Sequence, residues 1–259
     1  MAKILKEQES LNLVRFGSEK ISIDSKRGKI SKLFNSISSN YDKMNDIMSL
    51  GSHRLWKKDL VERLEFFRSH ENKKTVLDLA GGTGDIAFLI RERWPKNQVT
   101  VFDLSADMIN IGIKKSIKRG SIGNPNWVIG DAAYLPFKDS TIDIITCAFG
   151  IRNISEIEKT LVESYRILKP GGKLLILEFS PEVISPFKKI YNFYLKNILP
   201  NLGKNIAKNK EAYQYLCDSI LYFYSPNVFS KMIRNSGFKN IKIIKHMGGI
   251  ACLYVAFRI

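Results

Sequence analysis

The chain has 259 residues, 44% apolar and 11% aromatic, which is enough to bury one sizeable core and excludes a disordered or fibrous protein. Its 41 Lys and Arg against 25 Asp and Glu leave a formal charge of +16, which calls for an anionic partner or surface. Cys147, Cys217 and Cys252 lack C-x-x-C spacing, the three histidines lack metal-ligand spacing, and no apolar run approaches the roughly 18 residues of a spanning helix, so disulfide, metal and transmembrane classes are set aside.

In chain order, MAKILKEQES has no signal-peptide core, and residues 1–28 are expected to be flexible or loosely docked. Residues 29–70, with helices through Phe67, are expected to form a helical cap. Val76, Leu77 and Leu79 then make a short apolar run suited to a parallel strand covered on both faces. Within Asp78-Leu-Ala-Gly-Gly-Thr-Gly-Asp85, three glycines permit a sharp turn, and Ile86 to Ile90 reads as a helix whose free N–H groups face it. This is the pattern of a nucleotide-cofactor loop, and two readings compete for it. Gly82-Thr-Gly84-Asp-Ile-Ala87 fits the G-x-G-x-x-G/A dinucleotide fingerprint, with Asp103 about 20 residues on, which makes a NAD-type oxidoreductase a rival. Asp78 to Gly84 also fits the D-x-G-x-G-x-G loop of class I S-adenosylmethionine methyltransferases, with Ala80 in place of the first glycine.

Asp103 closes the apolar strand Val99 to Phe102 and serves either cofactor through ribose hydroxyls. Asp131 discriminates better: it follows a short strand, Trp127 to Gly130, where an acid accepts from the adenine amino group in the methyltransferase arrangement. A short-chain dehydrogenase needs Tyr-x-x-x-Lys on a helix; Tyr134 and Lys138 have the spacing, but Pro136 puts the segment in a loop. The strand Ile142 to Cys147, the helix Glu156 to Leu168, the stop at Lys169 to Gly172 and the strand Lys173 to Phe179 continue the alternation. Residues 75–180 are therefore expected to form a doubly wound, Rossmann-like α/β sheet carrying the cofactor. Residues 181–225 read as a helical insert before the last two strands. Residues 226–259 return as a helix to Asn235 and two runs, Asn240 to Lys245 and Ala251 to Phe257, closing the sheet of this single domain as an antiparallel edge pair.

Four separated motifs carry a family resemblance: YDKMNDIMSLGSHRLWK (Tyr41 to Lys57), the DLAGGTGD loop, LPF followed by FGIRN (Phe149 to Asn153), and RILKPGGKLLILEFS (Arg166 to Ser180). From about Phe34 to the C-terminus the chain resembles the ubiquinone/menaquinone biosynthesis C-methyltransferases. The resemblance implies S-adenosylmethionine as cofactor and a polyprenylated quinol as acceptor, either the methoxy-benzoquinol precursor of ubiquinone or demethylmenaquinol. By position it places cofactor contacts on Thr83, Asp103, Asp131 and Ala132, beside Asp78, Gly82 and Gly84 of the loop. One further contact, a serine in many relatives, is Ala148 here, so a backbone group or water has to replace that hydroxyl. The alternatives are the NAD-type oxidoreductase and a non-catalytic, cofactor-binding component of a quinone-biosynthesis assembly, which turnover of a short-chain quinol would exclude.

The chemistry follows from the acceptor. A quinol with an ionised phenol offers an electron-rich ring carbon, the oxidised quinone does not, and the ring must afterwards lose a proton. Arg152 and Asn153 stand where they would orient a phenolate and a water, although Arg152 is a poor base. His53, Tyr191 and Tyr194 are candidates for contact with the acceptor; Tyr191, like His246, also reads as structural. No metal is expected. Nucleic acid is disfavoured as the partner of the positive charge, because Cys147 to Gly150 occupies the place of the D/N-P-P-Y/F motif of amino-methylating enzymes and Asn124 to Trp127 is an imperfect copy elsewhere. An anionic membrane surface suits a polyprenyl substrate better, with Lys188, Lys189 and Lys196 of the aromatic insert facing headgroups of the inner face of the membrane from the cytoplasm. A merely solvating lysine surface, or an insert used as a core helix pair or homodimer contact, accounts for the same composition.

Overall fold

The computed structural model describes residues 13–37, 45–46, 49, 51–64, 73–121, 123, 125–184, 187–195 and 210–259. Tyr41 to Met44, Phe67, Pro186, Lys196, Lys204 and Lys208 lie outside them.

The chain opens with the antiparallel hairpin β1 (Leu13–Phe16) and β2 (Glu19–Ser22), then α1 (Ile23–Ile37) and α2 (His53–Glu62). The sheet and its helices follow as β3 (Thr75–Leu79), α3 (Asp85–Arg93), β4 (Gln98–Asp103), α4 (Ala106–Lys118), β5 (Asn126–Ile129), β6 (Ile142–Ala148), α5 (Ile157–Ile167) and β7 (Leu168–Phe179). The insert contributes α6 (Phe187–Phe193) and α7 (Lys210–Leu221), and the chain closes with α8 (Pro226–Asn235), β8 (Lys239–His246) and β9 (Ala251–Phe257). The seven sheet strands run in the order β5-β4-β3-β6-β7-β9-β8. Neighbours from β5 through β7 are parallel, and β9 is antiparallel to both β7 and β8.

Alternation along each strand supplies two cores. Val76, Val99, Ile144 and Leu175 point to the face covered by Trp56 and Leu60 of α2, whereas Leu77, Ile145, Leu174 and Ile176 point to the face covered by Leu161 of α5 and Phe229 of α8. Local signals start the helices. The Ser105 hydroxyl accepts from the Met108 N–H, and Ser225 accepts from Val228 N–H just before Pro226, caps worth about 1 kcal/mol each. After β5 the chain crosses to the other side of β3, so the order reverses between β3 and β6, and the crevice at that switch point is where such sheets hold ligands.

Two expectations are corrected. The segment expected to be flexible before Lys29 is, from Leu13 onward, a hairpin and the first turns of α1. Long-range polar contacts fasten it: Lys26 is buried and its Nζ donates to the Ile154 carbonyl, and Arg27 pairs with Asp131. The Lys169 to Gly172 segment does not end the helix ahead of a strand but is a bulge within β7, since Ile142 pairs with Leu168 and Ile144 with Lys173. Gly171 at φ +79° makes the turn, and the Gly171 N–H and Gly172 carbonyl bond to the Arg258 main chain.

Candidate active site

The loop from β3 to α3 divides the site. Gly82 (φ +55°) and Gly84 (φ +84°) supply its left-handed turns, and a Cβ on Gly81 would lie 2.6 Å from Asp78 Oδ2. Ala80, in place of the first glycine, also sits at φ +50°, a conformation that costs an L-residue roughly 1–2 kcal/mol. Its methyl is accommodated by the glycine after β6: a Cβ on Gly150 would stand 2.5 Å from that of Ala80.

On one side of Ala80 lies a cavity lined by Gly82, Asp103, Asp131, Ala132, Phe149 and Asn153, with Arg27 and Phe34 of α1 across from them. Asp103 accepts from the Gly82 N–H through Oδ2 and from the Ser105 N–H through Oδ1, both at 2.8 Å. A carboxylate accepts about four bonds, so capacity for ribose hydroxyls remains. Burial raises its pKa, opposed by the N–H groups of Ser105, Gly82 and Leu104. Asp131 Oδ1 accepts from the Ala133 N–H at 2.9 Å, and Oδ2 stands 2.6 Å from Arg27 Nε, which the sequence did not foresee.

On the other side is a smaller cavity lined by Lys57, Asp78, Gly81, Thr83, Asp85 and Ala148. Asp78 accepts from Thr146 Oγ1 at 2.8 Å, while its Oδ2 is buried with no hydrogen-bond partner among the described residues. Burial pushes its pKa up to about 7. Lys57 Nζ donates to Asp85 Oδ2 at 2.8 Å, and Lys115 Nζ to Thr83 Oγ1 at 2.9 Å. Burial raises the pKa of Asp85, but Lys57 and Lys115 outweigh it and hold the carboxyl below its usual range. Ala148 presents no hydroxyl, as expected.

These residues fit S-adenosylmethionine. Asp103 suits a ribose, and an orphaned carboxylate beside a buried ammonium suits the zwitterionic end of an amino acid. They do not suit a dinucleotide, whose pyrophosphate at the start of α3 would meet the carboxylates of Asp78 and Asp85.

Arg152 and Asn153 lie in a buried 3-10 turn at residues 151–153, just past β6. The Arg152 side chain is 2% exposed, and two of its three nitrogens are engaged: Nη1 donates to Glu178 Oε1 and the Phe149 carbonyl, both at 2.7 Å, and Nε donates to Ser219 Oγ at 3.1 Å. This is the geometry of a brace. Asn153 Oδ1 accepts from the Tyr215 hydroxyl at 3.1 Å, which fixes the amide's orientation, and Asn153 is one of the residues lining the cofactor cavity. Beside this turn is a third cavity of about 740 Å³, which shares Ser155 with the cofactor cavity and has both apolar residues, among them Leu13, Tyr222 and Phe223, and charged ones, among them Lys26, Arg152 and Glu158, in its walls.

The expected acceptor contacts do not gather there. His53 is buried, its Nε2 is 3.2 Å from Asp46 Oδ1, and burial pulls its pKa down to about 4. It faces an outer pocket with Arg54 and Lys58. Tyr191 is buried, its pKa raised well above the ordinary value, and its hydroxyl has no hydrogen-bond partner among the described residues. Tyr194 is half-buried, and burial raises its pKa. Neither tyrosine is among the residues lining the cofactor cavity. Sequence reasoning missed the roles of Arg27, Lys57, Asp85 and Tyr215; Lys57 and Asp85 sit in singled-out motifs, but nothing there tells a buried, paired side chain from a solvated one.

Residues 22–258 match the ubiE/COQ5 methyltransferase family. The "Ubiquinone/menaquinone biosynthesis C-methyltransferase UbiE" of Roseobacter denitrificans is 39% identical over 97% of this chain and 99% of its own length. That of Rickettsia akari is 38% identical over 96% and 100%. Among solved structures, a SAM-dependent methyltransferase of Thermotoga maritima superposes with a TM-score of 0.61 at 19% identity, covering 89% of this chain and all of the other, and one of Aquifex aeolicus with 0.56 at 21%, covering 83% and 98%. At such identities these two show the fold alone, whereas the family match and the curated relatives span nearly the whole chain. The chain therefore belongs to the ubiE/COQ5 methyltransferase family and is a class I S-adenosylmethionine-dependent methyltransferase.

Proposed function

We propose that this methyltransferase methylates a ring carbon of a reduced, polyprenylated quinol, a benzoquinol or naphthoquinol, in the making of ubiquinone or menaquinone, as the names of its relatives describe for them. The observation that carries the reading is Asn153, whose amide is fixed by Tyr215 at the cavity wall next to the turn braced by Arg152. When bound, S-adenosylmethionine supplies an electrophilic methyl. The protein has to place the ring carbon in line and keep its phenol ionised. The Asn153 NH2 donates to the ring oxygen, and Arg152 keeps the Phe149 to Asn153 turn in register through its bonds to Phe149 and Glu178. Asp103 and Asp131 are tied to backbone N–H groups and Arg27, so the ring proton passes to water. The 740 Å³ cavity takes the isoprenoid tail along Leu13, Val14, Tyr222 and Phe223, with charged residues such as Lys26 and Glu158 in its other walls.

Methyl transfer should require the quinol and fail with the quinone. Asn153→Ala should lower kcat by roughly 10²-fold, the scale of losing one donor to a developing oxyanion, with S-adenosylmethionine affinity unchanged. Parallel turnover of each reduced quinol tests this. Equal rates with quinone under non-reducing conditions, or full activity of Asn153→Ala, would contradict it.

The same reading places the insert against an anionic membrane. Lys188 and Lys189 of α6 are exposed near Phe193 (60% exposed) and Ile184 (51%), a mixture of cations and apolar side chains suited to headgroups and acyl chains. No helix among the described residues is long and apolar enough to cross a membrane. Liposome binding should rise with anionic lipid and fall as salt goes from about 0.05 to 0.5 M. Replacing Lys188, Lys189 and Lys196 by Gln should weaken it while S-adenosylmethionine affinity holds. Undiminished vesicle binding by that triple variant would instead make the lysines a solvated surface.

A further inference from the structure

The small cavity beside Ala80 holds a cation that comes from outside the sheet. Lys57, on α2, is 6% exposed and reaches a space whose other walls belong to the β3–α3 loop and the end of β6. Asp78 lines the same space at 0% exposure, with one oxygen bonded to Thr146 and the other without a partner among the described residues. A buried carboxylate oxygen lacking a bond is unfavourable, and an ammonium beside it relieves that cost, while Lys57, now paired with Asp85, supplies the cation for a carboxylate. Only a glycine at position 81 leaves the room, since a Cβ there would stand 2.6 Å from that free oxygen.

We propose that Lys57 is a cofactor-positioning residue: it exchanges Asp85 for the α-carboxylate of S-adenosylmethionine, while Asp78 opposite takes the α-ammonium. The proposal rests on the assignment of S-adenosylmethionine to this site. Asp85 can release Lys57 because it stays compensated, lying in the first turn of α3, where the helix dipole favours an anion, with Lys115 Nζ 3.8 Å from its Oδ1. The exchange makes α2, already packed on the sheet through Trp56 and Leu60, part of the binding site. Asp78 must be ionised to hold the ammonium. Burial pushes it up to about 7, Thr146 of β6 and Lys57 of α2 oppose this, and Asp85 of α3 and Asp103 of β4 add to it. Ligands bearing the ammonium should therefore bind more tightly above pH 7 than at pH 6.

Calorimetric titration of the full chain with S-adenosylmethionine, its decarboxylated analogue and 5′-methylthioadenosine separates the contacts, because the second ligand lacks only the carboxylate, whereas the third is a neutral thioether without carboxylate, ammonium or sulfonium. The parent should prefer S-adenosylmethionine over the decarboxylated form by roughly tenfold or more, as for a charge-assisted bond. Lys57→Met should abolish that preference and leave methylthioadenosine binding within about twofold. Asp85→Asn, which removes the carboxylate that Lys57 pairs with, should keep the preference. If Lys57→Met weakens all three ligands alike, or keeps the preference, or if Asp85→Asn loses the preference as Lys57→Met does, then Lys57 acts only through its ion pair and the proposal falls. If the parent binds none of the three, the cofactor assignment itself falls, which the variants alone would not produce.

Discussion

Glu178→Gln should destabilise the protein by about 3–5 kcal/mol, the cost of breaking a buried ion pair, out of the 5–15 kcal/mol that typically holds a domain together. Glu178 has 0% exposure, and its carboxylate accepts from Arg152 Nη1 at 2.7 Å, from the Phe179 N–H at 2.8 Å and from the Arg152 N–H at 3.2 Å. Burial raises its pKa, and the Arg152 guanidinium works against that shift. Glutamine keeps an acceptor for the backbone but leaves the Arg152 charge buried without a counter-charge. Urea unfolding measures the loss as a lower midpoint at unchanged slope. Because the cost lies in the unpaired charge, Arg152→Met combined with Glu178→Gln should cost less than the two single changes added together. Additive losses would mean that the pair contributes packing and no electrostatic coupling.

That pair also shows where sequence reading stops. The cofactor loop, the strand alternation, the closing antiparallel pair and the acids ending β3, β4 and β5 were legible, because glycine turns, period-2 apolar runs and strand-end carboxylates are local signals. Arg152 was legible as a residue of the site but not as a brace. Its partners, Glu178 and Ser219, are 26 and 67 residues away and meet it only because β6 and β7 pair with Ala148 opposite Leu177 and α7 packs behind the turn. The N-terminal hairpin was missed for a related reason. β1 and β2 are four residues each, with no fully buried side chain, so they carry no alternation to read. What fastens this segment is long-range, namely buried Lys26 on Ile154, Arg27 on Asp131 and Phe16 stacked on Tyr215, and in sequence the two cations look like solvated surface. Lys57 and Asp85 were hidden in the same way. The sequence shows Ala80 in place of the first glycine; that its methyl needs both a left-handed backbone and a glycine at position 150 follows only from the parallel packing of β3 on β6.

Asp103→Ala should weaken S-adenosylmethionine binding by about 1.5–3 kcal/mol, the range for hydrogen bonds to a charged group, or roughly 10- to 150-fold in Kd. The carboxylate stands at the end of β4 and organises the loop as well as the ligand, because it receives the N–H groups of Gly82 and Ser105. Alanine therefore removes the ribose acceptor and also leaves the Gly82 turn, at φ +55°, without its anchor. Asp103→Asn separates the two effects. The amide retains one acceptor oxygen for a backbone N–H but loses the charge and an acceptor, so it should bind S-adenosylmethionine between the parent and the alanine variant while melting close to the parent. Thermal shift with a ligand at about 100 times its Kd, which adds about 2.7 kcal/mol to a folded state that binds it, reads the same ranking without turnover. S-adenosylmethionine should raise the midpoint of the parent and NAD should not, since a dinucleotide's pyrophosphate would have to settle beside Asp78 and Asp85. Stabilisation by NAD with no response to S-adenosylmethionine would overturn the cofactor assignment, and an Asp103→Ala variant that binds S-adenosylmethionine like the parent would remove Asp103 from the site.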